Sequence, residues 1–556
     1  MQRQFQSVTL TTVLVLGVAT HSFGQSAAPL TAATAQRLDT LFAAWDNTRS
    51  PGCALGVSRN GNLVYSRGYG MANLEYDVAI APDSIFHVAS ISKQFTAFSI
   101  ALLASEGKLG LDDEIRRYLP ELPDYRQRIT IRHLLTHTSG LRDQWSLLRL
   151  AGWRPDDLIT EDDVLNMVAR QKSLNFVPGA EYLYSNTGFT LLAVIVKRVS
   201  GQSLREFAET RIFRPLGMRD THFHDDHTMI VRGRTSAYQP RPGGGWKISI
   251  PVFDTYGATS LFTTVGDLLK WEQNFVDARV GGRPVLDEMQ MSGRLNGGTA
   301  TDYGFGLAVN TYRGLRTVGH GGSDAGYRAD VVRFPDQHLA IAAFCNLSTI
   351  APGVLTRKAA EIILGPDVFA PSAPSMSLAQ TEVAALAGTY WNPITDDVLR
   401  IMIKDGQLTN DNNVLAPLGG GRFRVGEQST EFVFPPSTTG TPRELHASPS
   451  PTAMFTRVTA PSDSAADLRR YTGEYRSAEL DVSYNVVVLP EGRLAVLQRK
   501  FDPRPLDMVK LDTFSGAGTV TFTRAPSGDV TGFTISTGRV RRLSFTRVDA
   551  TSSTGK

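Results

Sequence analysis

The chain has 556 residues, which is more than one hydrophobic core usually organises, so its length predicts two to four domains. Hydrophobic residues make up 42% of it and charged residues 20%, as in an ordinary globular protein. The net charge of +3 is the balance of 57 basic and 54 acidic residues, with no long run of one sign. This composition argues against a nucleic-acid partner or a polybasic membrane anchor.

The first 24 residues have the pattern of a secretory signal peptide. Arg3 supplies a positive charge, residues 8–19 (VTLTTVLVLGVA) are apolar, and Ser22-Phe23-Gly24 is a small-residue cleavage site. The apolar run is short for a bilayer span, and a retained N-terminal anchor is the alternative. We therefore expect residues 1–24 to be removed, which leaves a secreted or periplasmic protein with no membrane span.

Strand-like and helix-like segments alternate over residues 25–365. Two strand-like segments flank Asn60-Gly61, which is a strong β-hairpin signal. Two apolar runs of helical character and a further strand-turn-strand pattern follow, at residues 95–103, 189–199 and 329–346. This mixture predicts an α+β domain built on an antiparallel sheet with helices.

A Pro-, Ser- and Ala-rich linker is predicted at residues 366–380, and short alternating strands follow it. Three short motifs then recur in the same order, offset by 85 to 90 residues: Leu386–Tyr390 with Tyr471–Tyr475, Lys404–Leu408 with Pro490–Leu494, and Phe455–Val458 with Phe545–Val548. The recurrence predicts two all-β barrel repeats, at residues 381–460 and 461–550.

The chain contains two cysteines, Cys53 and Cys345. Each lies in an apolar run, so buried free thiols are the default prediction. A disulfide would require that the two strands are neighbours with suitable geometry.

The strongest chemical signal is Ser90 followed by Lys93. At the start of a helix, residues three apart share a face, so the lysine would lie beside the hydroxyl. A serine hydroxyl becomes a good nucleophile when a neighbour takes its proton, and a desolvated lysine can do this. The helix N-terminus also favours a developing oxyanion. Alone, this pattern equally fits a Ser cap followed by a surface Lys.

Two further patterns follow in the chain. Tyr184-Ser185-Asn186 lies just before an apolar helix, and a phenol near an ammonium can shift toward phenolate and act as a general base. His320-Gly321-Gly322-Ser323 carries two glycines that let the backbone approach a ligand closely. Each pattern is weak alone, and the second also fits an ordinary strand and turn.

In the order S-x-x-K, Y-x-N, H-x-G, these elements resemble the serine β-lactamase and penicillin-binding-protein superfamily. The closer similarity is to the branch with class C β-lactamases, D-alanyl-D-alanine carboxypeptidases, D-aminopeptidases and related esterases. It covers roughly residues 35–365 and includes the flanking segments ITIRHLLTHTSGL at 129–141, PLGM at 215–218 and DLLKW at 267–271.

The resemblance implies a role for each site residue. Ser90 would be the nucleophile, Lys93 its proton partner, and Tyr184 the base that also protonates the leaving group. Asn186 would hydrogen-bond the acyl side chain or Lys93. The backbone N–H groups of Ser90 and Ser323 would form the oxyanion hole. No cofactor is implied.

His320 departs from the β-lactamase pattern. Many β-lactamases have a lysine there that helps to hold the substrate carboxylate, and a mostly neutral histidine would hold it less well. This is more similar to the D-aminopeptidase and esterase members. The two β repeats also resemble the lipocalin-like barrels of the D-aminopeptidase architecture, in which a barrel loop can reach the active site.

Residues 222–227 (HFHDDH) imitate a metallo-β-lactamase zinc motif. The segment follows the Pro215–Met218 motif of the serine family, so we interpret it as an exposed polar loop without a metal. His133 and His137 lie four apart without the glutamate of a zinc protease motif, and we expect them to pack and cap a helix.

The sequence thus predicts hydrolysis of a small-molecule peptide, ester or β-lactam through a Ser90 acyl-enzyme. A peptidase or aminopeptidase on small D-residue peptides ranks first, before a carboxylesterase and a weak β-lactamase. A non-catalytic binding or scaffold member of the family is the alternative from another class. The sequence leaves the oligomeric state open.

Overall fold

A computed structural model describes residues 29–371, 376, 378–411, 413–425, 431–436, 443–448, 453–461, 465–499 and 501–548. The predicted signal peptide and part of the predicted linker lie outside these residues. Among the helices of the described ranges, none combines the length and the apolar character that crossing a bilayer requires.

The N-terminal part of the chain is an α+β domain, as expected. Its strands are β1 (Cys53–Arg59), β2 (Asn62–Tyr69), β3 (Met71–Asn73), β4 (Val78–Ala79), β5 (Phe86–His87), β6 (Ile159–Thr160), β7 (His222–Phe223), β8 (Tyr238–Pro240), β9 (Trp246–Ile248), β10 (Phe253–Asp254), β11 (Leu261–Thr263), β12 (Ala308–Tyr312), β13 (Leu315–Asp324), β14 (Tyr327–Phe334) and β15 (Leu339–Cys345). The main sheet is antiparallel, with six strands in the order β12-β13-β14-β15-β1-β2.

The helices of this domain cover both faces of the main sheet. They are α1 (Ala32–Phe42), α2 (Ser92–Ser105), α3 (Ile131–Leu135), α4 (Gln144–Leu150), α5 (Glu161–Ala169), α6 (Asn186–Ser200), α7 (Leu204–Ala208), α8 (Arg214–Leu216), α9 (Val265–Asp277), α10 (Gly282–Met289) and α11 (Pro352–Leu364). Helices α1 and α11 pack on one face of the sheet, whereas α9 packs on the other face. Close packing of α9 depends on Gly56 of β1, where a Cβ would lie 3.0 Å from Val265 and Leu269.

Cys53 and Cys345 form a disulfide, so the default prediction of two free thiols is wrong. The two residues are directly opposite each other in the antiparallel pair of β1 and β15. The two apolar runs are central, neighbouring strands, which is the condition that pairing requires. The sequence alone did not reveal this register across a separation of 292 residues.

Two closed eight-stranded antiparallel barrels follow the short helix α12 (Gln380–Leu386). Barrel 1 consists of β16 (Gly388–Trp391), β17 (Val398–Lys404), β18 (Gln407–Asn410), β19 (Asn413–Gly419), β20 (Arg422–Val425), β21 (Glu431–Val433), β22 (Glu444–Ser448) and β23 (Met454–Val458). The helix α13 (Ala465–Leu468) leads into barrel 2, which consists of β24 (Gly473–Ser477), β25 (Val482–Val488), β26 (Leu494–Leu497), β27 (Arg504–Lys510), β28 (Thr513–Ser515), β29 (Thr519–Arg524), β30 (Val530–Thr537) and β31 (Val540–Arg547).

The first and third of the recurring motifs meet where each barrel closes. Tyr390 and Tyr475 are fully buried, and each hydroxyl donates to a backbone carbonyl four residues earlier, at 2.8 Å. Arg457 and Arg547, from the repeated Phe-Thr-Arg-Val motif, lie 5.8 Å and 6.0 Å from the centres of these rings. The sequence repeat therefore encodes the contact between the first and last strands of each barrel.

Candidate active site

Ser90 lies in a 3₁₀ turn, Ala89–Ile91, that continues directly into α2. Ala89 has a φ of +48°, a conformation that side-chain-bearing residues rarely adopt. The side chain of Ser92 holds this turn, since its Oγ donates to Ala89 O at 2.5 Å and accepts from Leu261 N at 3.0 Å. The strained turn presents Ser90 to the large cavity of the domain.

Lys93 is fully buried beneath Ser90, and its Nζ has three oxygen neighbours. It lies 3.1 Å from Ser90 Oγ, 2.8 Å from Asn186 Oδ1 and 2.6 Å from Ala258 O. Burial lowers the pKa of Lys93 well below its ordinary value. A neutral amine would donate its two hydrogens to the two carbonyl oxygens and direct its lone pair at the Ser90 hydroxyl, which is the arrangement that activates a serine.

Asn186 begins α6 and connects Lys93 to a buried carboxylate, that of Asp143. The backbone N and the Nδ2 of Asn186 both donate to Asp143 Oδ2, each at 2.8 Å. Because these bonds fix the amide, its Oδ1 faces Lys93. Of the two partners expected for Asn186, the structure places it against Lys93. Asp143 belongs to no motif in the sequence, and our prediction missed it.

Tyr184 is partly buried among the aromatic rings of His137, Tyr303 and His320, with centroid distances of 4.1, 6.2 and 6.1 Å, and its hydroxyl oxygen is inaccessible to solvent. Burial raises the pKa of Tyr184 above its ordinary value, and the neighbouring Ser90 hydroxyl opposes this only in part. The phenol oxygen forms no hydrogen bond of ordinary geometry within the described ranges. The shift is opposite to the expected one, because desolvation outweighs the Ser90 hydroxyl and the positive charge of Arg539.

His320 lies on β13 and receives a hydrogen bond from the hydroxyl of Tyr303, at 2.9 Å from its Nε2. Burial lowers the pKa of His320 to about 4, so the ring is neutral at physiological pH. It therefore provides no positive charge at the position where many β-lactamases carry a lysine. Tyr303, like Asp143, carried no sequence signal that we used.

Gly322 and Ser323 bring β13 against the nucleophile turn. A Cβ on Gly322 would lie 2.2 Å from Val88 O, so only glycine permits this approach. The cavity has a volume of about 1320 Å³, and its wall includes six of the seven predicted site residues: Ser90, Tyr184, Asn186, His320, Gly322 and Ser323. Lys93, the seventh, lies directly behind Ser90.

Barrel 2 supplies part of the cavity wall. The turn between β30 and β31 carries Gly538 and Arg539 into the site, and the Arg539 guanidinium lies 4.8 Å from the centre of the Tyr184 ring. The carbonyl of Arg539 accepts from Asp143 N at 3.2 Å and from Asn175 Nδ2 at 3.0 Å. The catalytic domain therefore binds the backbone of this turn and leaves its arginine side chain in the cavity.

The segment at 222–227 differs in part from the exposed polar loop that we predicted. Asp226 and His227 are exposed, but His224 is buried because its ring packs on Phe262 with centroids 4.5 Å apart. Burial lowers the pKa of His224 to about 4. Asp226, His227 and Asp254 place one potential ligand atom each within 4.8 Å of one another, although His227 and Asp254 already bond to each other at 2.9 Å.

The two histidines at 133 and 137 have structural roles, as expected. His133 caps α3, where its Nδ1 accepts from the backbone N of Thr130. His137 follows that helix at a φ of +56°, and its Nδ1 accepts from Ser185 N at 3.2 Å. Because the ring of His137 also packs against that of Tyr184, it positions the Tyr184–Asn186 segment.

A serine beside a buried lysine and a tyrosine, under a glycine-lined strand, is the arrangement of a serine hydrolase. The beta-lactamase family model matches residues 35–364. The chain belongs to the β-lactamase family.

Curated relatives and solved structures agree with this assignment. The chain is 28% identical over 409 residues to penicillin-binding protein 4* of Bacillus subtilis, covering 70% of this chain and 88% of that protein. It is 30% identical over 323 residues to the D-aminopeptidase of Brucella anthropi, covering 57% and 60% respectively, which is less than two thirds of that relative. The octameric penicillin-binding protein homologue from Pyrococcus abyssi has the same fold, with a TM-score of 0.55, 20% identity, and 84% and 98% coverage.

Proposed function

We propose that this enzyme is a peptidase or amidase that cleaves an amide bond beside a D-residue in small peptides. The observation that carries the proposal is the set of contacts around Lys93. Two carbonyl oxygens take its hydrogens, and the third neighbour is Ser90 Oγ at 3.1 Å. Together with the lowered pKa of the lysine, this favours a neutral base beside the nucleophile.

In the first half of the reaction, Lys93 accepts the proton of the Ser90 hydroxyl as the serine oxygen attacks the substrate carbonyl carbon. The backbone N–H groups of Ser90 and Ser323 stabilise the resulting oxyanion. The proton then passes by way of the Tyr184 hydroxyl to the departing nitrogen, and the carbon–nitrogen bond breaks. A water molecule hydrolyses the acyl-enzyme by the reverse proton route, which restores the Ser90 hydroxyl.

Preference for D-residues rests on the relatives, among which are D-aminopeptidases and a penicillin-binding protein. The neutral His320 supports a peptidase or esterase over an efficient penicillinase, because it lacks the charge that would hold a β-lactam carboxylate. The acyl-enzyme chemistry is shared by amides and esters, so a carboxylesterase is the second candidate.

We also propose that the protein acts outside the cytoplasm. The disulfide between Cys53 and Cys345 supports this, since such bonds persist in oxidising compartments. The apolar N-terminal segment with its small-residue cleavage site supports it as well. Mass spectrometry of the protein in periplasmic or culture fractions, with Gln25 as the expected new N-terminus, tests this proposal.

The test of activity compares D-alanine 4-nitroanilide, its L-enantiomer and 4-nitrophenyl butyrate as substrates of the wild type and of Ser90→Ala. We expect the D-anilide to be cleaved by the wild type only. Cleavage of the ester alone would assign the protein as an esterase. If wild type and variant were equally inactive on all three, the non-catalytic binding alternative would replace this proposal.

A further inference from the structure

The wall of the cavity carries both positive and negative side chains, with a small excess of positive ones. Four arginines line it, at positions 149, 328, 504 and 539, against three aspartates, at positions 143, 324 and 330. The aspartates are engaged within the protein. Asp143 accepts from Asn186 twice, Asp330 from Arg357 and Thr356, and Asp324 from Thr259 at 3.1 Å, with His87 Nε2 at 3.2 Å.

Arg539 differs from the other three arginines in the partners and exposure of its guanidinium. Arg328 donates to backbone carbonyls, Arg504 donates to Gln498 and lies over Tyr484, and Arg149 is exposed at the rim. The nearest carboxylate oxygen to the Arg539 guanidinium is Asp143 Oδ2, at 4.0 Å, which is too long for a hydrogen bond. Within the described residues, the guanidinium makes no hydrogen bond.

The backbone of the turn that carries this cation is fixed by hydrogen bonds. Asn175 binds the turn twice, because its Nδ2 donates to Arg539 O at 3.0 Å and its Oδ1 accepts from Arg541 N at 2.8 Å. Arg541 in turn forms an ion pair with Glu181 at 3.0 Å. A guanidinium carried by a fixed backbone and resting on an aromatic ring loses less entropy than one on a free loop when it binds a carboxylate with two parallel hydrogen bonds.

We propose that Arg539 makes the enzyme selective for substrates with a carboxylate on the leaving group, such as peptides that release a free C-terminal amino acid. The guanidinium lies over the ring of Tyr184, and under the proposed function Tyr184 protonates the leaving group, so the cation faces that side of the scissile bond. The neutral His320 provides no competing cation. The inference rests on the proposed function for the reaction but concerns the charge of the substrate.

Two matched anilides test the preference in turnover: D-alanine 4-nitroanilide and D-alanine 3-carboxy-4-nitroanilide, which differ by one carboxylate on the leaving group. We expect the wild type to favour the carboxylated anilide. At a pH on the plateau above the acid limb, the loss of one charge-assisted interaction in Arg539→Gln should lower kcat/KM for the carboxylated anilide by about tenfold or more, mainly through KM, and change the other anilide by about twofold or less. Arg539→Lys should recover part of the preference, and 0.5 M salt should weaken it.

Arg476→Gln is the matched control, since Arg476 is an exposed arginine of barrel 2 whose partner is Asp481 and which does not line the cavity. It should leave both rates unchanged. An equal loss on both anilides in Arg539→Gln would mean that the arginine is only structural, and the proposal would be overturned. The absence of any preference in the wild type would overturn it as well.

Binding separates this inference from the proposed function. In a Ser90→Ala background, calorimetry would compare the affinity for D-alanyl-D-alanine with that for its C-terminal amide, with and without Arg539→Gln. If the wild type hydrolyses neither anilide but the carboxylate preference in binding depends on Arg539, the proposed function fails and this inference stands. If hydrolysis depends on Ser90 but neither rates nor binding respond to the carboxylate, the inference alone fails.

Discussion

The two barrels have the same closing contacts but different positions in the molecule. Barrel 2 shares one continuous hydrophobic core with the catalytic domain, whereas the core of barrel 1 is separate. Tyr484 and Gln498 of barrel 2 both donate to Leu150 O at 2.7 Å, and Glu479 pairs with Arg142. Barrel 1 is joined to barrel 2, for example by Asp396 to Arg542 at 3.0 Å. The two barrels therefore have the same fold, and the difference lies in their interfaces. The interface residues of barrel 2 make it part of the active site.

The largest expected effect comes from the ion pair that docks barrel 2. Arg142 and Glu479 are 2.7 Å apart and almost fully buried. Arg142→Met would leave the Glu479 carboxylate buried without its partner, which should cost about 3–5 kcal/mol of stability. In barrel 1, Arg422 and Glu431 are equally close, but the arginine side chain is 53% exposed.

Arg422→Met is therefore the matched control and should cost less than about 1 kcal/mol. Thermal unfolding of both variants, together with limited proteolysis between the domains, gives the comparison. Similar small losses in the two variants would show that barrel 2 does not depend on this pair for its docking.

The next largest effect is expected when the turn between β30 and β31 of barrel 2 loses its contacts with the catalytic domain. Asn175→Ala removes the two hydrogen bonds that hold residues 539 and 541, a loss of about 1–2 kcal/mol at this contact. We expect the preference for the carboxylated anilide to fall while the melting temperature stays close to that of the wild type. A large drop in melting temperature with the preference intact would contradict a fixed, selective turn.

Sequence reasoning found the site residues that belong to short motifs, because each motif spans only a few consecutive residues. Ser90 and Lys93 share one turn of helix, and the glycines beside His320 signal a close backbone approach that Gly322 makes to Val88 O. Asp143 and Arg539 could not be found in this way. They are 396 positions apart (539 − 143), and only the docking of barrel 2 brings them to 4.0 Å.

Local motifs also could not show the direction in which the pKa of Tyr184 shifts, or that Cys53 pairs with Cys345. The sequence showed a phenol near an ammonium, but not the three rings that bury it and raise its pKa. It showed two cysteines in apolar runs, but not the register of β1 and β15. Burial and strand order are collective properties of the whole chain, whereas the motifs are local.

A smaller effect tests whether the two barrels are equivalent as folding units. Tyr390→Phe and Tyr475→Phe each remove one buried hydrogen bond to a carbonyl at 2.8 Å, so each should cost about 1 kcal/mol. Calorimetry of the two variants should show similar losses. A much larger loss at Tyr475 would mean that docking to the catalytic domain couples barrel 2 to the rest of the fold.

The smallest expected effect is electrostatic. It is the effect of Arg539, in barrel 2, on the pKa of the proposed base Lys93. Burial chiefly lowers the pKa of Lys93, and the positive charge of Arg539 lowers it further, against the opposing effect of Asp143. Activity that requires neutral Lys93 is present above this pKa and is lost as the pH falls through it. Arg539→Gln removes the positive charge, so the pKa of Lys93 should rise. The acid limb of kcat/KM on the uncarboxylated anilide should then move to higher pH.

We expect a shift below about one pH unit, because the guanidinium is 45% exposed and solvent screens it. Arg422→Gln in barrel 1 should leave the acid limb in place, and 0.5 M salt should reduce the difference between wild type and Arg539→Gln. An acid limb that stays in place or moves to lower pH would show that it does not report a group in the field of Arg539, and would contradict its assignment to Lys93. Since the shift is measured on a substrate without the carboxylate, it separates the effect of Arg539 on the base from its proposed effect on substrate choice.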